Sequence, residues 1–260
     1  MGGESGIESQ EPRNKKKFNW LALIDPFNII PAVISIALWT GSTFIKVSPL
    51  FVPPGDSQSM FPKAHKNTVE NSWVLIYNIV MPFIIVIIFY FLSFKFPTHI
   101  NKISPLTVMW CAITCVCMTG FFTNVMKKYV GRPRPDMYAW CGSENATYET
   151  CTSIKQSKRE GEFLSWPSGH SSNAMSGGMF IALLIQKVVK TRQLWVTLIA
   201  SLPILGAVFV ACSRIRDHRH HPDDVLAGML LGGVITVLFW WRAEKIMFPK
   251  EWPGNQPFRV

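Results

Sequence analysis

The chain has 260 residues, of which 48% are hydrophobic and only 16% are charged. Soluble globular proteins usually have about 25% charged residues, so this composition argues against an ordinary soluble domain. It also excludes a disordered chain, which needs low hydrophobicity. The formal net charge is +10. In so apolar a chain this charge favours an anionic lipid surface or an anionic substrate, and we expect no nucleic-acid partner.

The two ends of the chain are polar. Residues 1–25 include the basic run at 15–17 and are predicted to form a disordered tail. They contain no apolar segment, so we expect no cleavable signal peptide. Residues 246–260 are predicted to be a C-terminal tail. This leaves residues 26–245 as a single membrane domain.

Six uncharged segments lie between the tails, and each approaches the roughly 20 residues that a helix needs to cross ~30 Å of hydrocarbon. Unpaired backbone groups in lipid are costly, so we predict helices. A soluble helical bundle would need polar helix faces, and the second segment has none. The predicted fold class is therefore all-α, a polytopic membrane protein with six transmembrane helices and an active site at one membrane face. The segments are 26–45, 71–94, 103–126, 163–186, 193–213 and 225–241.

Six spans place both termini on one side of the membrane and three longer loops on the other. Lys and Arg are divided equally between the two sides, so the positive-inside rule does not decide the orientation. The longest loop carries an N-glycosylation sequon at Asn145. It also contains Cys141 and Cys151, which could pair in an oxidising lumen or remain free thiols. With the basic cluster in the N-terminal tail, these features favour a luminal or extracellular loop side and cytoplasmic termini.

Polar side chains collect where four of the segments end on the loop side. Lys127 and Arg134 follow the third segment and Arg214 follows the fifth, and these cations suit phosphate oxygens. Ser168 and Gly169 lie in the polar first part of the fourth segment, whose helix should begin near residue 170. A Ser N-cap with free backbone amides is a second way to bind phosphate.

Three residues are suited to acid–base and nucleophilic chemistry. His220 and Asp224 are four residues apart and would share one face if the chain were helical there. A carboxylate that orients an imidazole can make one ring nitrogen nucleophilic. His170 could supply the proton that a leaving alkoxide needs.

Three motifs give the chain a resemblance to a known family. They read Lys-x6-Arg-Pro at 127–135, Pro-Ser-Gly-His at 167–170 and Ser-Arg-x5-His-x3-Asp at 213–224. The chain resembles the type 2 phosphatidate phosphatase superfamily of integral lipid phosphate phosphatases, which shares its site with vanadium haloperoxidases and glucose-6-phosphatase. The wording of the motifs is most similar to the eukaryotic branch, which acts on diacylglycerol pyrophosphate and phosphatidate.

The resemblance implies a mechanism and a substrate class. It implies that His220 attacks phosphorus to form a phosphohistidine, that Asp224 orients it, and that His170 protonates the leaving lipid hydroxyl. It implies no metal and no other cofactor, and a lipid phosphate in the bilayer as the substrate. The phosphate-binding residues that it implies are Lys127, Arg134, Ser168, Gly169 and Arg214.

Several alternatives stay open at the level of the sequence. The substrate could be phosphatidate, lysophosphatidate, diacylglycerol pyrophosphate, a sphingoid-base phosphate or a polyprenyl diphosphate. A catalytically inactive membrane scaffold and a transporter are the other classes considered. The segment 217–224 offers three His and three Asp as metal ligands, but the arginines among them disfavour a cation. The sequence gives neither the oligomeric state nor the membrane, for which the endoplasmic reticulum, a vacuole or endosome and the plasma membrane are candidates.

Overall fold

A computed structural model describes residues 26–64 and 66–248 as an all-helical chain. Among these residues no strand forms, and the only β pairing is an isolated bridge between Ile100 and Val189. Two short helices, α4 and α5, lie in the longest loop. The helices are α1 (Pro26–Ser42), α2 (Asn71–Lys95), α3 (Pro105–Val130), α4 (Met137–Cys141), α5 (Gln156–Glu162), α6 (Gly169–Val188), α7 (Leu194–Arg216) and α8 (Pro222–Met247).

The prediction of an all-α fold is confirmed. Within the described residues, four helices are long and apolar enough to cross a membrane, namely α2, α3, α7 and α8. The helix α1 is apolar but shorter, and α6 begins with a polar turn. The predicted tail 1–25 and residues 249–260 of the C-terminal tail lie outside the described residues, whereas α8 continues to Met247, past the predicted boundary at 245.

The helix ends on the loop side differ from the predicted segments. The helix α3 continues past residue 126, so that Lys127 lies in its last turn. Gly131 ends this helix in the left-handed region, with a φ of 61°, and donates its N–H to the Lys127 carbonyl. The helix α6 begins at Gly169 with Ser168 as its N-cap, which confirms the predicted start near residue 170.

The helix α6 lies at the centre of the fold and packs against α3, α7 and α8. Glycines permit the closest approaches. A Cβ atom added at Gly232 of α8 would clash with the Ser172 carbonyl oxygen, and one added at Gly178 would lie 2.7 Å from the Pro203 carbonyl oxygen. The polar first turn of α6 is therefore held in the middle of three apolar helices.

The outer faces of the helices are apolar. On α7, Leu198, Leu202 and Leu205 are each about 60% exposed. A contiguous apolar surface of this kind marks contact with a membrane or a partner rather than with water. Together with the four apolar helices, it indicates an integral membrane protein.

Candidate active site

Backbone hydrogen bonds bring the three motifs together at one end of the bundle. Arg134 donates its N–H to the Glu162 carbonyl at 2.8 Å, which joins the first motif to the segment before α6. Ser168 donates its N–H to the Asp224 carbonyl at 2.9 Å, which joins the second motif to the third. The site is thus assembled by main-chain pairing and does not depend on side-chain contacts alone.

His220 is buried at 3% exposure in the loop before α8. Because α8 begins at Pro222, His220 is not helical, so the condition under which His220 and Asp224 would share a helix face is not met. The Nδ1 atom of His220 lies 3.8 Å from Oδ2 of Asp224, too far for a good hydrogen bond. The Oγ atom of Ser165 is closer to this nitrogen, at 3.4 Å.

Ser165 connects His220 to Asp224. Its hydroxyl is completely buried and donates to Oδ2 of Asp224 at 2.5 Å. The serine oxygen can therefore accept a hydrogen bond from Nδ1–H of His220 while its own hydroxyl proton is donated to the carboxylate. With a proton on Nδ1, the lone pair of Nε2 is left for nucleophilic attack.

Asp224 has several donors besides Ser165. The His221 backbone N–H donates to it at 2.8 Å, and Nδ1 of His221 lies 3.1 Å from the same oxygen. Arg132 donates to the other carboxylate oxygen at 2.8 Å and also pairs with Asp223. The carboxylate of Asp224 is fully buried but well satisfied, so it can remain charged and hold its place.

The imidazole of His220 is held in its neutral form. Burial lowers its pKa well below the usual range, and the nearby cations Lys127 and Arg134 lower it further, while Asp224 acts in the opposite direction. A neutral imidazole keeps the lone pair that a nucleophile needs.

Two of the predicted phosphate-binding cations lie beside this imidazole. Lys127 is buried and donates to the Leu164 carbonyl at 2.7 Å. A Cβ atom added at Gly169 would lie 3.4 Å from Cε of Lys127, so the lysine stem passes close to the Gly169 backbone. The Arg134 guanidinium donates through Nε to the Gly161 carbonyl at 2.8 Å. Burial, with the charge of Arg219, lowers its pKa to about 10, so it stays charged at neutral pH.

Arg214 has protein partners for two of its nitrogens. Its Nη2 atom donates to the Val69 carbonyl at 2.7 Å and to Asp217 at 2.9 Å, and its Nε atom donates to Ser213. The side chain is 2% exposed. Arg214 therefore ties the end of α7 to the segment before α2, and its contact with phosphate stays a prediction.

The first turn of α6 presents the remaining predicted residues. The Ser168 hydroxyl is buried and accepts from the N–H and the hydroxyl of Ser171, as an N-cap does. His170 is half-buried, and its Nε2 atom is buried without a hydrogen-bond partner in the part of the chain that the structure describes. That nitrogen is free to interact with a bound molecule.

Reasoning from the sequence missed a buried ion-pair network behind the site. Arg219 pairs with Asp136 at 2.6 Å and with Glu162 at 3.2 Å, and both carboxylates are fully buried. Burial works against the charge of Arg219, but Glu162 and Asp136 more than offset this and raise its pKa. The acidic residues in so apolar a chain indicate that buried ion pairs exist, because buried carboxylates need partners. Which cation pairs with which carboxylate depends on the paths of three loops, and the sequence does not show these paths.

The alternative of a metal site at 217–224 gains no support from the geometry. The His218 ring stacks on Phe61 with 5.0 Å between centroids. Asp217 pairs with Arg214, and Asp223 pairs with Arg132. These two aspartates of the segment are thus paired with arginines, and among residues 26–64 and 66–248 no group of three His, Cys, Asp or Glu side chains is arranged to hold a metal ion.

The longest loop carries two further features noted in the sequence. Cys141 and Cys151 are joined by a disulfide, with their Cα atoms 5.0 Å apart. The sequon residue Asn145 is exposed on the same loop. Both lie on the side of the bundle that carries the candidate site.

The fold is that of an all-helical protein of membrane type. The cations around the buried imidazole of His220 form a candidate anion site. Residues 108–248 match the PAP2 superfamily. Because this match covers more than half of the chain, the chain belongs to the PAP2 superfamily.

The chain is similar to several lipid phosphatases over part of their length. The chain is 31% identical to diacylglycerol pyrophosphate phosphatase 1 of Saccharomyces cerevisiae, over 70% of this chain and 66% of the yeast protein. It is 30% identical to lipid phosphate phosphatase 2 of Arabidopsis thaliana, over 64% of this chain and 59% of the relative. It is 33% identical to phospholipid phosphatase 1 of Rattus norvegicus, over 45% of each chain. The chain thus spans between about half and two thirds of the length of these relatives.

Proposed function

We propose that this protein hydrolyses lipid phosphate monoesters and pyrophosphates, without Mg²⁺, through a phosphohistidine at His220. The observation that carries the proposal is the buried, neutral imidazole of His220, held through Ser165 by Asp224 and flanked by Lys127 and Arg134. A neutral nucleophile beside fixed cations is suited to phosphoryl transfer. The names of the relatives point to lipid phosphates as the substrate class.

In the first step, the lone pair on Nε2 of His220 attacks phosphorus while the bond from phosphorus to the lipid oxygen breaks. His170, in its protonated form, gives a proton to the departing lipid oxygen, so a neutral alcohol leaves from a monoester and phosphatidate leaves from diacylglycerol pyrophosphate. The phosphate oxygens interact with Lys127, Arg134 and the first turn of α6, and this proposal includes Arg214, Ser168 and Gly169 among the phosphate-binding residues.

In the second step, a water molecule attacks the phosphohistidine. His170 takes a proton from that water, the bond from phosphorus to Nε2 breaks, and inorganic phosphate is released. The fixed cations neutralise the charge that develops on the phosphate oxygens, which is the work that a metal ion does in many other phosphatases.

The same proposal covers the membrane arrangement. All six long helices cross the bilayer, with α1 and α6 as the two spans beyond the four that length and composition support. The membrane domain, residues 26–245, lies between two cytoplasmic tails, and the site faces the lumen or the cell exterior. The disulfide and the exposed sequon on the site side support this orientation.

The test is phosphate release from a panel of detergent-dispersed lipids by purified protein with EDTA present. The panel contains phosphatidate, lysophosphatidate, diacylglycerol pyrophosphate, sphingosine 1-phosphate and a polyprenyl diphosphate. We expect release from the glycerolipids that is lost in His220→Ala but kept in His218→Asn, a matched control two residues away. Asn tolerates the positive φ of 52° at residue 218.

Other results would change the assignment. A strict requirement for Mg²⁺ would contradict the metal-free mechanism. Release from the polyprenyl diphosphate alone would indicate that the substrate is a polyprenyl diphosphate and not a glycerolipid. No release from any lipid by folded protein would favour an inactive scaffold.

A further inference from the structure

A cavity of about 240 Å³ lies beside His170, between α1, α2, α3 and α6. Its walls include the apolar side chains Trp39, Val74 and Ile79, together with two amides, Asn78 and Asn173. A smaller cavity of about 30 Å³ lies next to it between α2 and α3 and shares the wall formed by Trp39, Asn78 and Ile79. Together, the two cavities extend from His170, the proposed general acid, toward the apolar part of the helix bundle.

Three polar atoms around this cavity have no hydrogen-bond partner in the part of the chain that the structure describes. They are Nε2 of His170, Oδ1 of Asn78 and Oδ1 of Asn173. Asn78 is only 5% exposed and lies in a π-helical segment of α2, Ile76–Val80, a local distortion often found at functional sites. Oδ1 of Asn78 lies against Gly177 of α6, so at this residue the NH₂ end of the amide is left for the cavity. Because buried polar groups nearly always have partners, the two amides and the imidazole at one cavity indicate that a bound molecule forms hydrogen bonds there.

The chemistry of the cavity fits an uncharged polar group. The NH₂ group of an asparagine can donate to an ester oxygen, its oxygen can accept from a hydroxyl group, and the amide carries no charge. In the proposed mechanism, Nε2 of His170 protonates the oxygen that leaves, so the leaving alcohol must lie on this side of the phosphate. In a glycerolipid phosphate, ester or hydroxyl oxygens lie three or four bonds from that oxygen, whereas in a polyprenyl phosphate only hydrocarbon follows.

We propose that Asn78 and Asn173 bind the polar groups of the glycerol backbone and that the apolar wall beside them takes the first part of an acyl chain. The two asparagines then determine specificity for glycerolipid phosphates over phosphates of plain hydrocarbon alcohols. This inference rests on the proposed function, because it uses His170 as the acid for the leaving alcohol.

The experiment measures kcat/KM in mixed micelles for phosphatidate and for hexadecyl phosphate, which has no polar group beyond the phosphate. The variants are Asn78→Leu and Asn173→Leu, which keep the side-chain size but remove the hydrogen bonds. We expect each variant to lose about tenfold in kcat/KM with phosphatidate, as loss of substrate hydrogen bonds does. With hexadecyl phosphate, we expect a change of less than about twofold.

Asn124→Leu is the matched control. Asn124 lies on α3 and donates to Ser42 on α1, away from the cavity wall. It should alter both substrates equally. Asn78 also packs closely against Gly177, so thermal unfolding of each variant is recorded, and Asn173→Leu tests the proposal independently of that contact.

The outcomes separate this inference from the function on which it rests. Equal losses with both substrates would show that the asparagines are structural and would overturn the inference, as would no loss with either. A wild-type preference for hexadecyl phosphate would also overturn it. If folded wild-type protein hydrolyses neither lipid, the proposed function itself is wrong and the inference fails with it.

Discussion

The two ends of the helix bundle use charge in opposite ways. At the end that carries the site, Arg214 pairs with Asp217 and both side chains are at most 5% exposed. At the other end, Lys187 pairs with Glu244 of α8 at 3.5 Å, and these side chains are 45% and 29% exposed. Buried ion pairs fix geometry, and breaking one partner is costly, whereas exposed pairs contribute little. The buried ion pair therefore holds charged groups in fixed positions at the end that carries the site, whereas the exposed pair at the other end does not.

The largest effect is expected from Arg219→Met, because this change leaves Asp136 and Glu162 buried without their shared cation. Removing one partner of a buried ion pair typically costs about 3–5 kcal/mol. Burial already raises the pKa of Asp136, so part of the loss can be relieved by protonation at low pH.

Thermal unfolding of Arg219→Met in detergent checks this prediction. The control is Arg216→Met, an exposed arginine near the same loop. A Tm for Arg219→Met equal to that of the control would show that the network does not stabilise the site end.

The next effect concerns Ser165, which we identify as a positioning residue for His220. In Ser165→Ala the link between Asp224 and Nδ1 of His220 is lost. We expect kcat to fall about 10–100-fold with little change in KM, and Ser165→Thr to restore part of the rate. A fall in KM and kcat together with a lower Tm, and no rescue by threonine, would indicate a structural role only.

A smaller effect on the stability of the folded protein is expected when the pH is lowered, because the pKa of His220 differs between the folded and the unfolded chain. Its folded-state pKa lies well below the usual value of 6.5, so below pH 6.5 the unfolded chain binds a proton that the folded chain does not. Stability from this group is present above pH 6.5 and is lost as the pH falls, by up to about 2 kcal/mol at pH 5.

Scans of Tm from pH 8 to pH 5 measure this difference. Wild-type protein should lose more Tm on acidification than His220→Gln, in which the titrating group is absent. Parallel curves for the two proteins would contradict the assignment of a neutral buried imidazole.

The smallest effect is expected at the opposite end of the bundle. Lys187→Ala removes an exposed ion pair with Glu244, which is worth about 0–1 kcal/mol. Activity on phosphatidate and Tm should both stay close to wild type. A large loss of activity in this variant would mean that the contrast between the two ends is wrong.

Much of the fold and of the candidate site could be predicted from the sequence. The limits of the uncharged segments place most helix ends within a few residues, because charges are costly in hydrocarbon. The same reasoning placed Lys127, Arg134, His170, His220 and Asp224 at one membrane face, and the backbone hydrogen bonds between the motifs agree with that grouping.

The rest depended on the path of the loops. Ser165 reaches His220 and Asp224 only because the segment before α6 pairs with the loop after α3. Arg219 finds its two carboxylates across long sequence separations. The geometry between His220 and Asp224 depends on where α8 begins. Pro222 starts α8 two residues after His220, and no periodic pattern marks that position.

In the proposed mechanism, His220 carries the phosphoryl group during turnover. The direct measurement is rapid acid-free quenching of the protein with phosphatidate labelled in its phosphate, followed by mapping of the labelled peptide. We expect an acid-labile label on His220 that is absent in His220→Ala and present in His218→Asn. Label on another residue, or turnover retained in folded His220→Ala, would contradict it.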